Sequence, residues 1–362
     1  MRSKFIGYYE ASEEVFEESW TEGVFAFDAN TLLNLYRYSG DTSQEMLTVI
    51  GSLTSRVHLP YQAALEFMNN RVAVISDSKR AYEELSKITA SVIKSELGKK
   101  LTIFKRHPLI KIEKIQELYE EFDRNVQHEL EVQKSSHPDL IKEDYILEKI
   151  NRIFEHSTGT EPSNAVLDKI FAEGLVRYKL NVPPGFADAK GKESRPLREQ
   201  YGDLIIWKEL IEFCKSKNKP IIFITDDNKD DWWTKQADGS KRPRPELIKE
   251  FHEKTGKRIL IYNSDEFIRI AENRNLVKSV KDETLNEIED IRVFSGVTNS
   301  WESLWQSSDS AAYASALQTI SGAMSLPEKT NEEISAFKKA VDAIRSYQNL
   351  LNNDDNPDAG SV

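Results

Sequence analysis

KPIIFITDDNKDDWW, residues 219–233, decides the fold. Its run IIFI is rich in β-branched and aromatic side chains and is long enough for one buried strand. Thr225 ends the run. Asp226, Asp227, Asp230 and Asp231 then crowd together, and Trp232 and Trp233 follow. A strand that is apolar on both faces belongs to a parallel sheet covered by helices. In such sheets ligand sites form beyond the C-terminal strand ends, where these mutually repelling acids stand.

The same pattern recurs on either side. EGVFAFDANTLLNLYR (22–37) reads as a strand over Val24–Phe27, a turn at Asp28, and a helix that Asn30 or Thr31 is expected to cap. RVHLPYQAALEFMNNR (56–71) repeats it, with Pro60 near the first helical turn. VPPGFADAKGKESRPLREQYGD (182–203) is a long polar loop, LIIWKELIEFCKSKN an amphipathic helix, and RILIYNSDEFIRIAE (258–272) another strand and helix. Strands alternating with helices predict an α/β fold on a parallel sheet. Between them the periodicity changes. Ile115, Leu118, Phe122 and Val126, and then Ile146, Ile150, Ile153 and Phe154, recur at helical spacing, with KSSHPDL as a turn. The expected organisation is a core over 20–77 and 181–272, a helical insertion over 78–180, a helical region over 273–351, and a disordered tail over 352–362.

Composition narrows the class. No apolar run approaches the roughly 20 residues that span a bilayer, and MRSKFIGYYEASEEVFEE turns acidic before a signal-peptide core develops. The expectation is a cytoplasmic protein without membrane contact. The net charge of −11 argues against a partner held only by diffuse positive charge. From Glu272 onward 15 acids face 8 bases, so the rest of the chain is nearly balanced and has room for basic patches. The single cysteine, Cys214, excludes an internal disulfide and reads as a small core residue. None of the six histidines pairs at metal-ligand spacing.

The acids line up at element ends. Asp28 follows VFAF, Glu66 lies in the helix after VHL, Asp203 opens LIIWKEL, and Asp226 and Asp227 follow IIFIT. Right-handed crossovers bring the C-terminal ends of parallel strands to one edge. Carboxylates gathered there repel unless a cation sits among them. Hard oxygen donors suit Mg²⁺ or Mn²⁺, and such ions serve phosphodiester hydrolysis. No GxxxxGK[ST] or GxGxxG follows a strand, so nucleotide-cradling folds lose support.

The order of Asp28-x-Asn30, Glu66, Gly202–Asp203 and Thr225-x-Asp227, together with PPGFADAKGK, YGDLIIWKE and ITDDNKDDWW, resembles the PIN-domain nucleases. Within them it resembles a bacterial PIN-like family, once a domain of unknown function, with a large insertion before the third acid. The resemblance spans roughly 20–272. It implies a Rossmann-like three-layer α/β core and a metal-dependent endonuclease that acts first on RNA, with DNA possible, in a toxin or phage-defence role. It also implies Asp28, Glu66, Asp203 and Asp227 as metal ligands, Asn30 and Thr225 as the groups that orient them, and Asp226 as a rival to Asp227. Asp188, with Lys190 and Lys192 beside it, is an extra substrate-side candidate.

Lys235, Lys241, Arg242 and Arg244 follow the acidic stretch and are expected to grip a phosphate backbone. A second basic stretch, 94–114, lies on the insertion. Trp232 and Trp233 are either stacking platforms for bases or core. Asp230 and Asp231 are expected to cap the next turn. Trp301, Trp305 and the Ala/Ser stretch point to self-assembly or a protein partner through the C-terminal region. Two rivals remain. One is a scaffold of this fold that binds without turnover. The other is a haloacid-dehalogenase-like phosphatase, which FDANTLL resembles but in which Asn30 would stand where an acid must donate a proton.

Overall fold

Four apolar segments become strands of one parallel sheet, in the order Val57–His58, Val24–Phe27, Ile221–Ile224 and Leu260–Tyr262 across it. The computed structural model describes residues 1, 4–91, 101–189, 194–237 and 239–292. In chain order the elements are α1 (Glu13–Glu22), β1 (Val24–Phe27), α2 (Ala29–Asn34), α3 (Gly40–Ser52), β2 (Val57–His58) and α4 (Tyr61–Ser91). Next come α5 (Ile112–Ser136), α6 (Tyr145–Phe154), α7 (Asn164–Lys179), α8 (Phe186–Ala189), α9 (Leu197–Gln200) and α10 (Gly202–Lys217). They are followed by β3 (Ile221–Ile224), β4 (Trp233–Lys235), β5 (Lys241–Pro243), α11 (Pro245–Thr255), β6 (Leu260–Tyr262) and α12 (Ser264–Asn273). A further helix, α13, covers 282–292.

β3 is central and wholly buried. Phe25 pairs with Ile222 and Ala26 with Phe223, so alternation sorts the side chains onto two faces. On one face Phe25 packs against Trp20 and Phe267, and Phe27 against Phe154 and Phe267. On the other, Phe223 meets Trp232, which in turn meets Trp207 of α10. Helices therefore cover both faces of a three-layer α/β core. Burying each of these large apolar side chains stabilises the fold by about 1.5–3 kcal/mol.

The helical insertion is smaller than periodicity predicts. α4 runs unbroken through the expected boundary at 77/78. Its outer half and α5 form a hairpin held by Lys134–Glu83 and Lys79–Asp139 ion pairs. Beyond it, Ile146, Ile150 and Phe154 of α6 enter the main core, and Thr158 forms a parallel bridge with Leu59 beyond the end of β2. α7 packs against α10. Residues 145–180 thus complete the core. The apolar period correctly marks a helix in α6 but says nothing of which surface it covers.

The C-terminal boundary moves as well. Val277, Val280, Leu285 and Ile288 are buried in the main core. Glu287 of α13 accepts hydrogen bonds from Thr42 and from the Ser39 backbone N–H and hydroxyl at the start of α3. Met1–Ile291 is accordingly one compact unit. The expected helix over 332–351, the tail, Trp301 and Trp305 lie outside the described residues.

Candidate active site

Asp28 follows β1 directly and is only 4 % exposed. Its Oδ1 accepts from the Ala29 N–H at 2.7 Å, so Asp28 itself caps α2, not Asn30 or Thr31 as the sequence suggested. Its Oδ2 accepts from Thr225 Oγ1 at 2.8 Å and Asn30 Nδ2 at 3.3 Å. Thr225 and Asn30 thus hold Asp28 in place. Burial, with Glu66 and then Asp227 as repelling charges, raises the Asp28 carboxyl to about 7, against the pull of Thr225 and Ala29. Three acids far apart in sequence are thereby coupled at one sheet edge.

Glu66 projects from the second turn of α4. Its Oε1 accepts from Gln62 Nε2 at 2.8 Å, one helical turn earlier. Gln62 is buried, and its own oxygen accepts from Arg198 Nε at 2.8 Å. Glu66 also abuts the start of α10: a Cβ on Gly202 would stand 2.3 Å from Glu66 Oε1. Asp203 is the next residue, in the first turn of α10, where the helix dipole favours an anion. It is half-buried. Tyr201, not Asp203, occupies the cap position.

The loop before α10 presses on Asp203. Gly185 sits at φ +91°, and a Cβ there would meet Tyr178 Oη at 2.1 Å and Asp203 Cβ at 3.2 Å. Only glycine serves in so tight a left-handed position. The loop is anchored from two sides. Arg177 donates to the Pro183 carbonyl and forms an ion pair with Glu250 at 2.7 Å. Asp231, fully buried, accepts from the Gly185 and Ala187 N–H groups at 3.0 and 3.1 Å. Asp231 is therefore structural, as expected, but it holds a loop 46 residues away in sequence rather than capping its own turn.

The aspartate doublet divides. Asp226 accepts from Asn34 Nδ2, the Ser264 N–H and the Ser264 hydroxyl, at 3.0, 3.0 and 2.8 Å. It caps the start of α12 and ties it to α2 through Asn34, so both its oxygens are engaged in bonds that hold elements together. Asp227 accepts at Oδ1 from the Lys229 N–H and at Oδ2 from the Lys229 ammonium, at 2.9 and 2.8 Å. Its carboxylate acts on Asp28 as a repelling charge, after Glu66.

Trp232 does not offer a stacking face. It is 1 % exposed and wedged between Trp207 and Phe223. Trp233, 3 % exposed, donates to the Asp227 carbonyl. Both tryptophans are core, the second of the two readings open to the sequence, and Trp232 drops out as a substrate-binding candidate. The basic candidates lie on the β4–β5 hairpin and just after it. Lys235 and Lys241 are directly opposed and exposed, a pairing of like charges that costs stability unless an anion lies nearby. Lys241 donates to the Asn228 carbonyl, Arg242 pairs with Glu10 at 3.1 Å, and Arg244 donates to the Asp230 carbonyl and lies 5.6 Å over the Phe186 ring. Asp188 is on the short helix α8, but its side chain, and Lys190 and Lys192, lie outside the described residues, as do residues 92–100 of the second basic stretch.

Sequence reasoning missed Gln62, Lys229 and Glu209. Glu209 Oε2 accepts from the Gln62 N–H at 3.2 Å, and its carboxyl is raised to about 7, chiefly by burial and in part by Glu66. The helical spacing from Gln62 to Glu66 was a usable signal. The depth of Glu209 was not visible in WKELIEF. Among the described residues, no three histidines, cysteines or acids stand close enough together to hold a metal ion. By residue type Asp28, Glu66 and Asp227 are hard oxygen donors, the kind that a divalent cation such as Mg²⁺ takes. No described helix is long and apolar enough to cross a membrane.

Comparison with known proteins adds one finding. A family model described as a PIN like domain matches residues 24–247. That span runs from β1 into the first turn of α11 and includes Asp28, Glu66, Asp203, Asp226 and Asp227. Searches of the curated proteins and of the solved structures returned no match.

Proposed function

The chain belongs to the PIN-like domain family, and on that premise we propose that it is a metal-dependent endonuclease whose substrate is RNA before DNA. One observation carries the reading: Asp28 is buried at the C-terminal sheet edge, held by Thr225 and Asn30, and pushed up by Glu66 and Asp227. An enzyme has reason to keep such a costly charge where a cation is to be bound.

In this reading Asp28, Glu66, Asp203 and Asp227 hold Mg²⁺ or Mn²⁺. The bound ion supplies an activated water and stabilises negative charge on the leaving oxygen. The protein's own part is positioning. Thr225 and Asn30 fix the Asp28 carboxylate, and Gln62, itself held by Arg198, fixes Glu66. Outer-sphere bonds of this kind orient ligands and tune their basicity. Gly185 and Gly202 allow the loop and α10 to approach closely. Lys235, Lys241, Arg242 and Arg244 form the rail for a phosphate backbone, contacts that position a strand without reading its bases. Asp188, Lys190 and Lys192 remain substrate-side candidates. A toxin or phage-defence role belongs to the same proposal, as does a protein partner or self-assembly through the C-terminal region.

A second reading, a scaffold that binds nucleic acid without cutting it, draws on the spacing of the acids and on the Lys229 ammonium beside Asp227. The test is a panel of labelled single-stranded RNA, structured RNA and single-stranded DNA with Mn²⁺, Mg²⁺ or EDTA. Cutting of RNA that EDTA stops supports the enzyme. Binding without cutting under every condition supports the scaffold.

A further inference from the structure

The stretch 226–231 carries one cation among its acids, Lys229. Its ammonium stands 2.8 Å from Asp227 Oδ2, and its backbone N–H donates to Asp227 Oδ1 at 2.9 Å. Residue 229 thus engages both oxygens of one carboxylate. The two bonds differ in kind. The backbone bond closes a tight turn and survives any side chain except proline. The side-chain bond brings a full positive charge from a position with 35 % side-chain exposure to a carboxylate with 4 %. Surface ion pairs contribute little, but a pair with one partner buried beside further acids is different. Asp227 repels charge on Asp28, after burial and Glu66, and the ammonium offsets that one contribution.

Resting on the carboxylate reading above, we propose that Lys229 is a resident counter-ion: its ammonium neutralises Asp227 while no divalent ion is bound, and such an ion binds by displacing it. Lys229 then opposes metal binding twice. Its bond to Asp227 must be broken, and its charge repels the incoming cation. The lysine head is partly exposed, so solvent screens its charge, and we expect metal affinity about tenfold tighter once that charge is removed.

The experiment is calorimetric titration of Mn²⁺ into the full chain at one pH and ionic strength. The chains are wild type, Lys229→Met, Lys229→Arg, Asp227→Asn and the double variant Asp227→Asn/Lys229→Met. Thermal melting without metal verifies each fold. Lys229→Met should bind about tenfold more tightly, Lys229→Arg should stay near wild type, and the gain should vanish in the Asp227→Asn background, as a double-mutant cycle requires. Equal or weaker binding by folded Lys229→Met overturns this inference and leaves the carboxylate site standing. Absence of binding in every chain overturns the carboxylate site, and the inference with it.

Discussion

Replacing Gly202 by alanine separates the stability of this fold from its chemistry. Gly202 opens α10, and an added Cβ would stand 2.3 Å from Glu66 Oε1, 3.3 Å from Glu66 Cδ and 3.6 Å from Gln62 Nε2. A methyl carbon and an oxygen need a separation more than 3 Å wide, so the Glu66 carboxylate must withdraw by ~1 Å. It is the far end of a flexible side chain, so the move is open to it. The move strains or breaks the 2.8 Å bond from Gln62, a loss of about 1.5–3 kcal/mol for a charged acceptor that is only partly compensated by water. Alanine in the first turn of a helix returns ~0.5–1 kcal/mol over glycine. The net destabilisation is then about 1–2 kcal/mol, a fall of several degrees in melting temperature for a unit of this size. A displacement of about 1 Å in a positioning group lowers turnover by ~100-fold. Thermal melts beside metal-dependent cleavage rates measure both. A folded variant that cuts at the wild-type rate would refute the placement of Glu66 in the site. A collapse in stability would refute the argument that Glu66 absorbs the clash.

Three further outcomes follow from the same geometry. Asp28→Asn removes a carboxyl that the fold raises from 3.8 to about 7. The folded state holds that proton more tightly than the unfolded state, so this term favours folding below pH 3.8 and is lost as pH rises to about 7. The variant should therefore be more stable than wild type at alkaline pH without metal, by at most about 4 kcal/mol, with the gap closing in acid; equal melting profiles across pH would contradict it. His58 behaves oppositely: burial lowers it from 6.5 to about 4, and its Nδ1 faces the Ser157 carbonyl at 2.9 Å. The unfolded chain takes up that proton first, so His58 costs stability as pH falls from 6.5 to about 4, up to about 3 kcal/mol; denaturant midpoints of wild type and His58→Gln should converge in this range. Ending the chain after residue 292 should preserve the melting transition of Met1–Ile291, whereas ending it after 275 strips Val277, Val280, Leu285 and Ile288 from the core and should cost several times the ~1.5–3 kcal/mol of one apolar side chain.

The residues differ in how far they could be read without coordinates. Val24–Phe27 and Ile221–Ile224 carry their own strand signal, because a run buried on both faces must be apolar throughout. The parallel order then follows, and with it the shared edge that couples Asp28 to Asp227. Ile146, Ile150 and Phe154 announced a helix, yet periodicity gives an apolar face and not the surface that face meets, so the helix was assigned to an insertion instead of the core. Asp226 and Asp227 are chemically identical neighbours. Their separation depends on Asn34 and Ser264, which the fold brings beside Asp226 from elsewhere in the chain. Trp232 was ambiguous for the same reason: a tryptophan after a turn stacks on a base or fills a core according to what lies opposite, here Trp207 and Phe223. Asp231 could not have been paired with Gly185 from spacing alone, since their contact spans three helices and a strand.

The central claim is that the carboxylates at the sheet edge cut nucleic acid together. Its most direct measurement is cleavage of labelled RNA under Mn²⁺ by wild type, Asp28→Asn and Asp203→Asn, each verified as folded by its melting transition. The account predicts that wild type cuts, that EDTA stops it, and that each variant loses at least about 100-fold in rate. Cutting that survives both substitutions would place the activity elsewhere and contradict the account.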